Sequence, residues 1–315
     1  MPLNRSRSTS RFVKISSSVV ATALLAALFM FVTPVDAQTV SIIDPQAPLL
    51  ATSAAKVVSS PTLSPTVSPQ PSATPVNTAL AKLREKYKTD LSIYRTDERD
   101  FALAKEQFLK LQTLASLEVS VKATRKVMIT RAAVLQDYAQ ILRLIIQDSS
   151  GIDVAEKTAL LKQLDTMNDR LKSQQQLAEQ AIDRESVQKA VVDFAQLSTP
   201  MTALSYKSMS YISYARLQTV YDKMLAVRDE VTTQLTTQEN NGLKLGEKRR
   251  ALDEINRNLE QTKLSLSAVH KTFIPNSSGL EPQFDAGSYP QTVQALSSIY
   301  ADLYRNLSFL REVIK

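Results

Sequence analysis

The densest run of chemically capable side chains lies between Leu204 and Met224. There Tyr206, Tyr211, Tyr214 and Tyr221 alternate with Ser205, Ser208, Ser210 and Ser213 and with Met209. Phenol hydroxyls beside small hydroxyl side chains are the residue types that line a cleft for a sugar, a peptide or an aromatic ligand. The same pattern also suits a helix–helix contact, with serines permitting close approach and tyrosines at the rim. Both readings stand on the residues: a ligand-binding, sensor-like pocket near residues 204–224, or a packing face.

The remaining titratable groups offer less. His270 is the only histidine, so a multi-histidine metal site is excluded. Ser267 stands where the Glu-x-x-His spacing of di-iron bundles requires a glutamate, and His270 therefore reads as a solvated or helix-terminal histidine. Lys248-Arg249-Arg250 is flanked by Glu247, Asp253 and Glu254, the pattern of a solvated helix face rather than a phosphate contact. The acidic pairs Asp97-Glu98 and Asp229-Glu230 sit among basic neighbours, with no apolar surroundings visible in sequence to shift a carboxyl group toward acid–base work. Zero cysteines remove thiolate nucleophiles, disulfides, Cys-based metal sites and a lipoprotein anchor. No phosphate loop, Gly-x-Ser-x-Gly elbow, His-Glu-x-x-His motif or EF-hand loop occurs. The expectation is no catalytic residue, no metal ligand and no cofactor; an enzyme with a site assembled from distant helices is the third reading after scaffold and sensor.

These side chains need elements to hold them, and composition says which. Five glycines and no tryptophan in 315 residues, with abundant Leu, Ala, Gln, Lys, Glu and Arg, match the helix-forming mix of long bundles. The formal charge of +7 includes Arg5, Arg7, Arg11 and Lys14 near the N-terminus, where Asp36 is the only acid. Without that segment the surplus is +4, too diffuse to indicate nucleic acid. A protein partner, the chain itself or another, or a cell-envelope polymer fits better.

Residues 1–37 carry the three-part pattern of a secretory signal: a basic start, the apolar run Val19 to Val32, and Val35-Asp36-Ala37 with small residues before Gln38. Cleavage between Ala37 and Gln38 is expected. The rival is an uncleaved signal anchor, in which residues 15–33 make the only membrane contact; the strongly apolar stretch is short for a span. Either way the chain is read as exported, secreted or held at the cell surface. Residues 38–77 follow, rich in Ser, Thr and Pro, with prolines at 45, 48, 61, 65, 69, 71 and 75. Each proline removes a backbone donor, so the segment reads as a disordered linker reaching about 120 Å if extended. Whether it is a spacer or a plain tail stays open.

From residue 78 the pattern is helical. Leu80, Tyr87, Tyr94, Phe101 and Phe108 recur every seventh position, with Leu83, Leu91, Ala104 and Leu111 between them. A second stripe in shifted phase runs through Val121, Met128, Leu135 and Leu142, with Ala132, Tyr138, Ile145 and Ile146 beside it. Between them Leu111, Leu114 and Leu117 step by three. This predicts a tight turn near Thr113 to Ser116, with Ser116 as N-cap and an antiparallel hairpin; the rival is one helix of about 70 residues carrying a stammer. A third helix is expected from Asp153 to Gln180 with Leu160, Leu164, Met167 and Leu171. A fourth runs from Asp183 to Thr237, broken or kinked where Thr199 suits an N-cap and Pro200 a first turn. A fifth carries Leu245, Leu252, Leu259, Leu266 and Phe273, with Ile255 and Val269, and ends by Pro275. The last, residues 290–315, offers Val293, Leu296, Tyr300, Leu303, Leu307, Leu310 and Ile314 as one amphipathic stripe. Glycines 151, 242, 246, 279 and 287 fall at the boundaries.

The stretch from Tyr87 to Arg143, through Thr124, Met128, Arg131, Val134-Leu135, Tyr138 and Leu142-Arg143, resembles exported helical proteins of unknown role from candidate-phylum, Microgenomates-like bacteria. That resemblance implies an extracytoplasmic bacterial setting and transfers no site residue. The whole is read as an all-α protein, an elongated antiparallel bundle of about six helices built as coiled-coil-like hairpins. Its parts are a long-helix body at 78–275, a loop at 276–289 and a C-terminal helix packing on the body.

Overall fold

A computed structural model describes residues 75–273, 284 and 287–314. The leader with its Ala37-Gln38 junction, nearly all of the 38–77 segment and most of 276–289 lie outside the described residues. Among the described residues every regular element is an α-helix: α1 Pro75–Leu111, α2 Leu114–Asp148, α3 Val154–Gln180, α4 Arg184–Asn240, α5 Gly246–Lys271 and α6 Ser288–Ile314. None of them is long and apolar enough to cross a membrane. Consecutive helices from α1 to α5 run antiparallel, as their cross-links show. Lys86 pairs with Asp137 and Lys126 with Asp97, so residues advance on α1 as their partners retreat on α2. Arg143 meets Asp165, while Arg125 reaches the α3 terminus at Ala178.

Helix ends follow local chemistry. Pro75 opens α1, three residues before the expected linker boundary; a first-turn proline lacks only an N–H that has no intrahelical partner there. The turn after α1 is real, and it is shorter than expected. Thr113 rather than Ser116 caps α2: the Thr113 hydroxyl accepts from the Ser116 N–H, and Ser116 Oγ accepts from the Thr113 N–H, a reciprocal capping box. Gln112 carries a positive φ of 49°, a left-handed conformation disfavoured for a residue with a Cβ. Asp153 and Asp183 cap α3 and α4. At the end of α4, Leu243 N–H bonds the Gln238 carbonyl and Gly242 N–H the Glu239 carbonyl, with Gly242 at φ +87°, which is the Schellman arrangement. Gly246 begins α5 instead of ending a helix.

Two expectations are corrected. Helix α4 is neither broken nor recapped at Thr199-Pro200: it runs 57 residues with Pro200 inside it, about 85 Å at 1.5 Å per residue. Ser198, Thr199 and Pro200 are exposed, so water can serve the carbonyl that lost its donor, and packing on both sides keeps the helix going. On α6, Leu296, Leu303 and Leu310 are buried, but Val293, Tyr300, Leu307 and Ile314 are exposed. The buried line runs instead through Thr292, Ile299, Asn306 and Val313. Steps of three and four from the shared leucines generate two adjacent lines, and contact with α4 and α5 selects the other one.

The main core is built from α2 to α6 and Phe284. The expected stripes of α3 and α5 lie in it: Leu171, Ile255 and Leu259 are fully buried. No residue of α1 belongs to it. Helix α1 packs on α2 alone among the described helices, and its seam contains buried Asp97 and Asp137 together with Phe101, Ala104, Ser120 and Thr124. Gly151, in the α2–α3 connection, has φ +79°, and a Cβ there would lie 2.6 Å from the Ala215 carbonyl oxygen of α4. Only glycine lets that connection approach α4 so closely.

Candidate functional site

The tyrosine and serine segment forms the middle of α4, where α3, α5 and α6 converge on it. Tyr211, Tyr214 and Tyr221 are buried rather than at a rim, as are Ser205, Ser208 and Ser210. Tyr206 is half-buried and stacks on Tyr289 at 4.3 Å between ring centres. Ser205, Ser208 and Ser210 thus lie on the buried side of α4 and Ser213 on its exposed side, with Ser205 and Ser213 donating back to the carbonyls of Met201 and Met209. Met209 also accepts from the Tyr138 hydroxyl of α2.

The structure brings to these tyrosines two residues that sequence reasoning did not join to them. Glu156, in the first turn of α3, accepts the Tyr211 hydroxyl hydrogen bond, and the same Oε2 lies 2.9 Å from His270 Nε2 in the last turn of α5. A carboxylate only accepts, so His270 presents its Nε2–H to Glu156. The imidazole stacks on the Tyr214 ring at 5.2 Å and 14°. Phe273 packs against both Tyr211 and Tyr214, and Phe284 against Phe273. His270 is therefore helix-terminal as expected but not simply solvated: it ties α5 to α3 and α4. Burial, then the hydrogen bond and charge of Glu156, push the Tyr211 phenol well above its usual range. Burial likewise raises Tyr214 and Tyr221. All three phenols stay protonated, and Tyr211 and Tyr214 donate to Glu156 and Gln218.

Beside this cluster an open cleft of about 530 Å³ runs between α4 and α5, with Tyr214, Tyr221 and His270 in its wall and Asp222, Arg228, Glu260 and Lys263 around it. Gln218 donates to Asp222, and Arg228 binds Asp229 and Asn256. The charges of both signs are thus partly satisfied within the bundle. The basic run is similarly engaged: Arg249 reaches Glu239 at 3.0 Å across the α4–α5 turn. Among the described residues no group of three or more acidic or histidine side chains is placed to hold a metal ion. His270 Nε2 is held by Glu156.

The second polar constellation lies in the α1–α2 seam. Lys86 Nζ is 2.6 Å from Asp137 and 2.8 Å from Asp90, and Lys126 is 2.7 Å from Asp97. Asp97, whose sequence neighbours gave no sign of apolar surroundings, has its side chain 1% exposed and its Oδ2 without a hydrogen-bond partner. Burial raises the Asp137 carboxyl above its ordinary value despite Lys86, whereas the Lys86 hydrogen bond holds Asp90 below it. Burial works against the Lys86 ammonium, but hydrogen bonds to Asp137 and Asp90 outweigh it and raise its pKa. Asp90 and Asp97 occupy the heptad line of Leu83 and Ala104, where a signal was present: two acids on a core position.

Set beside known proteins, this chain matches no family model, no curated protein and no solved structure. What the fold and the site define, among the described residues, is an antiparallel arrangement of six helices whose polar clusters link one helix to another.

Proposed function

We propose that this chain acts outside the cytoplasmic membrane as a non-enzymatic helical bundle engaged in cell-surface structure or protein interaction. The observation that carries the reading is the use made of the four tyrosines. Tyr211, Tyr214 and Tyr221 are buried contacts between helices, and Tyr206 is stacked on Tyr289. The residues best suited to a ligand cleft thus work as internal ties. The leader pattern at 1–37 and the resemblance of Tyr87 to Arg143 to exported helical proteins support the location. A protein partner or an envelope polymer is the expected contact; nucleic acid is not. The membrane is touched only through residues 15–33 if the leader is retained.

A second reading, a ligand sensor, is favoured by the α4–α5 cleft beside Tyr214, Tyr221 and His270. One experiment separates them. Thermal unfolding with panels of sugars, short peptides and aromatic amino acids should leave the midpoint unchanged. A ligand-dependent rise that disappears in Tyr214→Ala would replace the scaffold with the sensor. Cell fractionation and N-terminal sequencing should find the chain outside the cytoplasm beginning at Gln38; a cytoplasmic chain would end the extracytoplasmic reading.

A further inference from the structure

Helices α4, α5 and α6 meet in all three pairs, and side chains place each contact. Tyr214, Tyr221 and Leu225 of α4 turn toward α5 at the cleft between them. Tyr206 of α4 stacks on Tyr289 of α6, while Phe309 and Val313 near the end of α6 share a groove with Glu247 and Ala251 at the start of α5. Arg249 meets Glu239 across the α4–α5 turn. Helices α4 and α6 therefore run parallel, with α5 antiparallel to both.

The open side of the α4–α6 contact is the one that faces away from α5. Successive helical residues turn by about 100°, which puts Val220 and Val227 roughly 100–120° round α4 from Tyr221, beyond the buried line of Met224 and Val231. On α6, Val293, Tyr300, Leu307 and Ile314 continue the side of Tyr289, away from Phe309. The two lines border one groove, and all six of these side chains are between 36% and 56% exposed. Helix α2 covers α4 nearer its N-terminus, where the Tyr138 hydroxyl meets Met209, but α2 ends at Asp148. An apolar groove between two helices, with its side chains repeating every seven residues, is the receiving half of a helix-in-groove contact. From Val293 to Ile314 it measures about 32 Å at 1.5 Å per residue, the length of a helix of three heptads.

The rims say what the incoming helix must carry. Arg216 and Lys223 lie outward of Val220 and Val227 on α4, and Arg311 lies outward of Leu307 and Ile314 on α6. All three are exposed, with no ion-pair or hydrogen-bond partner among the described residues. The one acid beside them on the α4 rim, Glu230, accepts from Gln234. We propose that the α4–α6 groove docks one amphipathic helix of a partner protein, with apolar residues toward Val227 and Leu307 and acidic residues along both edges. Unpaired cations on both rims attract that sign of charge and repel a basic helix. The proposal rests on the interaction reading above and gives it a surface and a partner class.

The test uses the full chain and a labelled synthetic peptide of three heptads, with leucine at the two inner positions of each heptad and glutamate at the positions flanking them. A second peptide carries lysine in place of glutamate. Fluorescence anisotropy should show the glutamate peptide binding about tenfold more tightly than the lysine peptide, with the gap narrowing as salt rises. Arg216→Glu with Lys223→Glu and Arg311→Glu should invert that preference. Val227→Asp with Leu307→Asp should weaken the glutamate peptide by at least about tenfold. All five positions are exposed, so unfolding midpoints should stay near the native value. Equal binding of both peptides, binding of neither, or a preference that ignores the rim substitutions would overturn the proposal. So would a dimer in sedimentation that Leu307→Asp dissolves, which would give the groove to a second copy. Vesicles of anionic phospholipid bound through the same residues would make it a lipid surface instead. These failures are read at Lys223, Leu307 and Arg311, whereas the interaction reading fails through a ligand-dependent midpoint rise lost in Tyr214→Ala, on the α5 side of α4.

Discussion

The seam between α1 and α2 and the core shared by α4, α5 and α6 use the same seven-residue repeat for opposite purposes. Along α5, Leu252, Leu259 and Leu266 with Ile255 are buried to 2% exposure or less, and burial of each such side chain contributes roughly 1.5–3 kcal/mol. Along α1 the equivalent line passes through Leu83, Asp90, Asp97 and Ala104. There carboxylates meet lysines whose ammonium ends lie largely in solvent, and the net gain from such pairs is small. The lesson is that a heptad repeat sets where a helix faces, and the chemistry at its inner positions sets how firmly it is held. The core gives stability, while the seam gives register.

The strongest way to break the comparison is at its apolar end. Leu259→Ala should destabilise the whole chain by about 2–5 kcal/mol, read as a cooperative fall in the denaturant midpoint. A loss confined to α5 would mean the core is not one unit. Next, the core has a flaw of its own: Asn306 is 1% exposed with neither amide atom hydrogen-bonded. Asn306→Leu should raise stability by about 1–3 kcal/mol, the desolvation cost of an unpaired buried polar group; a fall would show that Asn306 has a partner in solution.

In the seam the effect should be smaller and local. Lys86→Met strands the buried Asp137 carboxylate and should cost about 1 kcal/mol, low in the range because the lysine is half in solvent. Asp137→Asn should cost less, since it removes the charge from the buried side. Hydrogen exchange should speed up in α1 and leave α5 unchanged; equal loosening of both would erase the distinction drawn here.

The smallest expected effect concerns acid. Asp137 has a raised carboxyl pKa, so its contribution to stability is present below the ordinary value of 3.8 and lost as pH rises through the raised one. Asp90 is lowered, so its contribution is present above 3.8 and lost as pH falls. The two oppose each other. Denaturant midpoints of the native and Asp137→Asn chains should therefore converge or cross as pH rises above 3.8, with the native chain losing relative to the variant. A native chain that gains instead would reverse the sign assigned to Asp137.

Much of this architecture is legible in the sequence. The stripes of α3 and α5, the hairpin turn near Thr113 and the Asp153 and Asp183 starts all follow from spacing and capping chemistry, which act within a few residues. The α4 continuity through Pro200 was not legible, because an exposed proline is tolerated only when packing on both sides holds the helix. Nor was the choice between the two lines of α6, which the same leucines share. The candidate site was legible in half: the tyrosine and serine residues stand out in sequence, but Glu156 and His270 lie 114 residues apart and carry no mutual signal.

Helical periodicity is local, since each turn of backbone sets which side chains share a face, so the residues alone establish that the described part of this chain is helical and, to within a few residues, where its helices begin. Which faces meet is a matter of long-range contact. Only in the folded bundle do Tyr211 and Tyr214 join Glu156 and His270, and only there does Asp97 prove buried, because a carboxylate's surroundings come from a neighbouring helix that its own sequence context does not name.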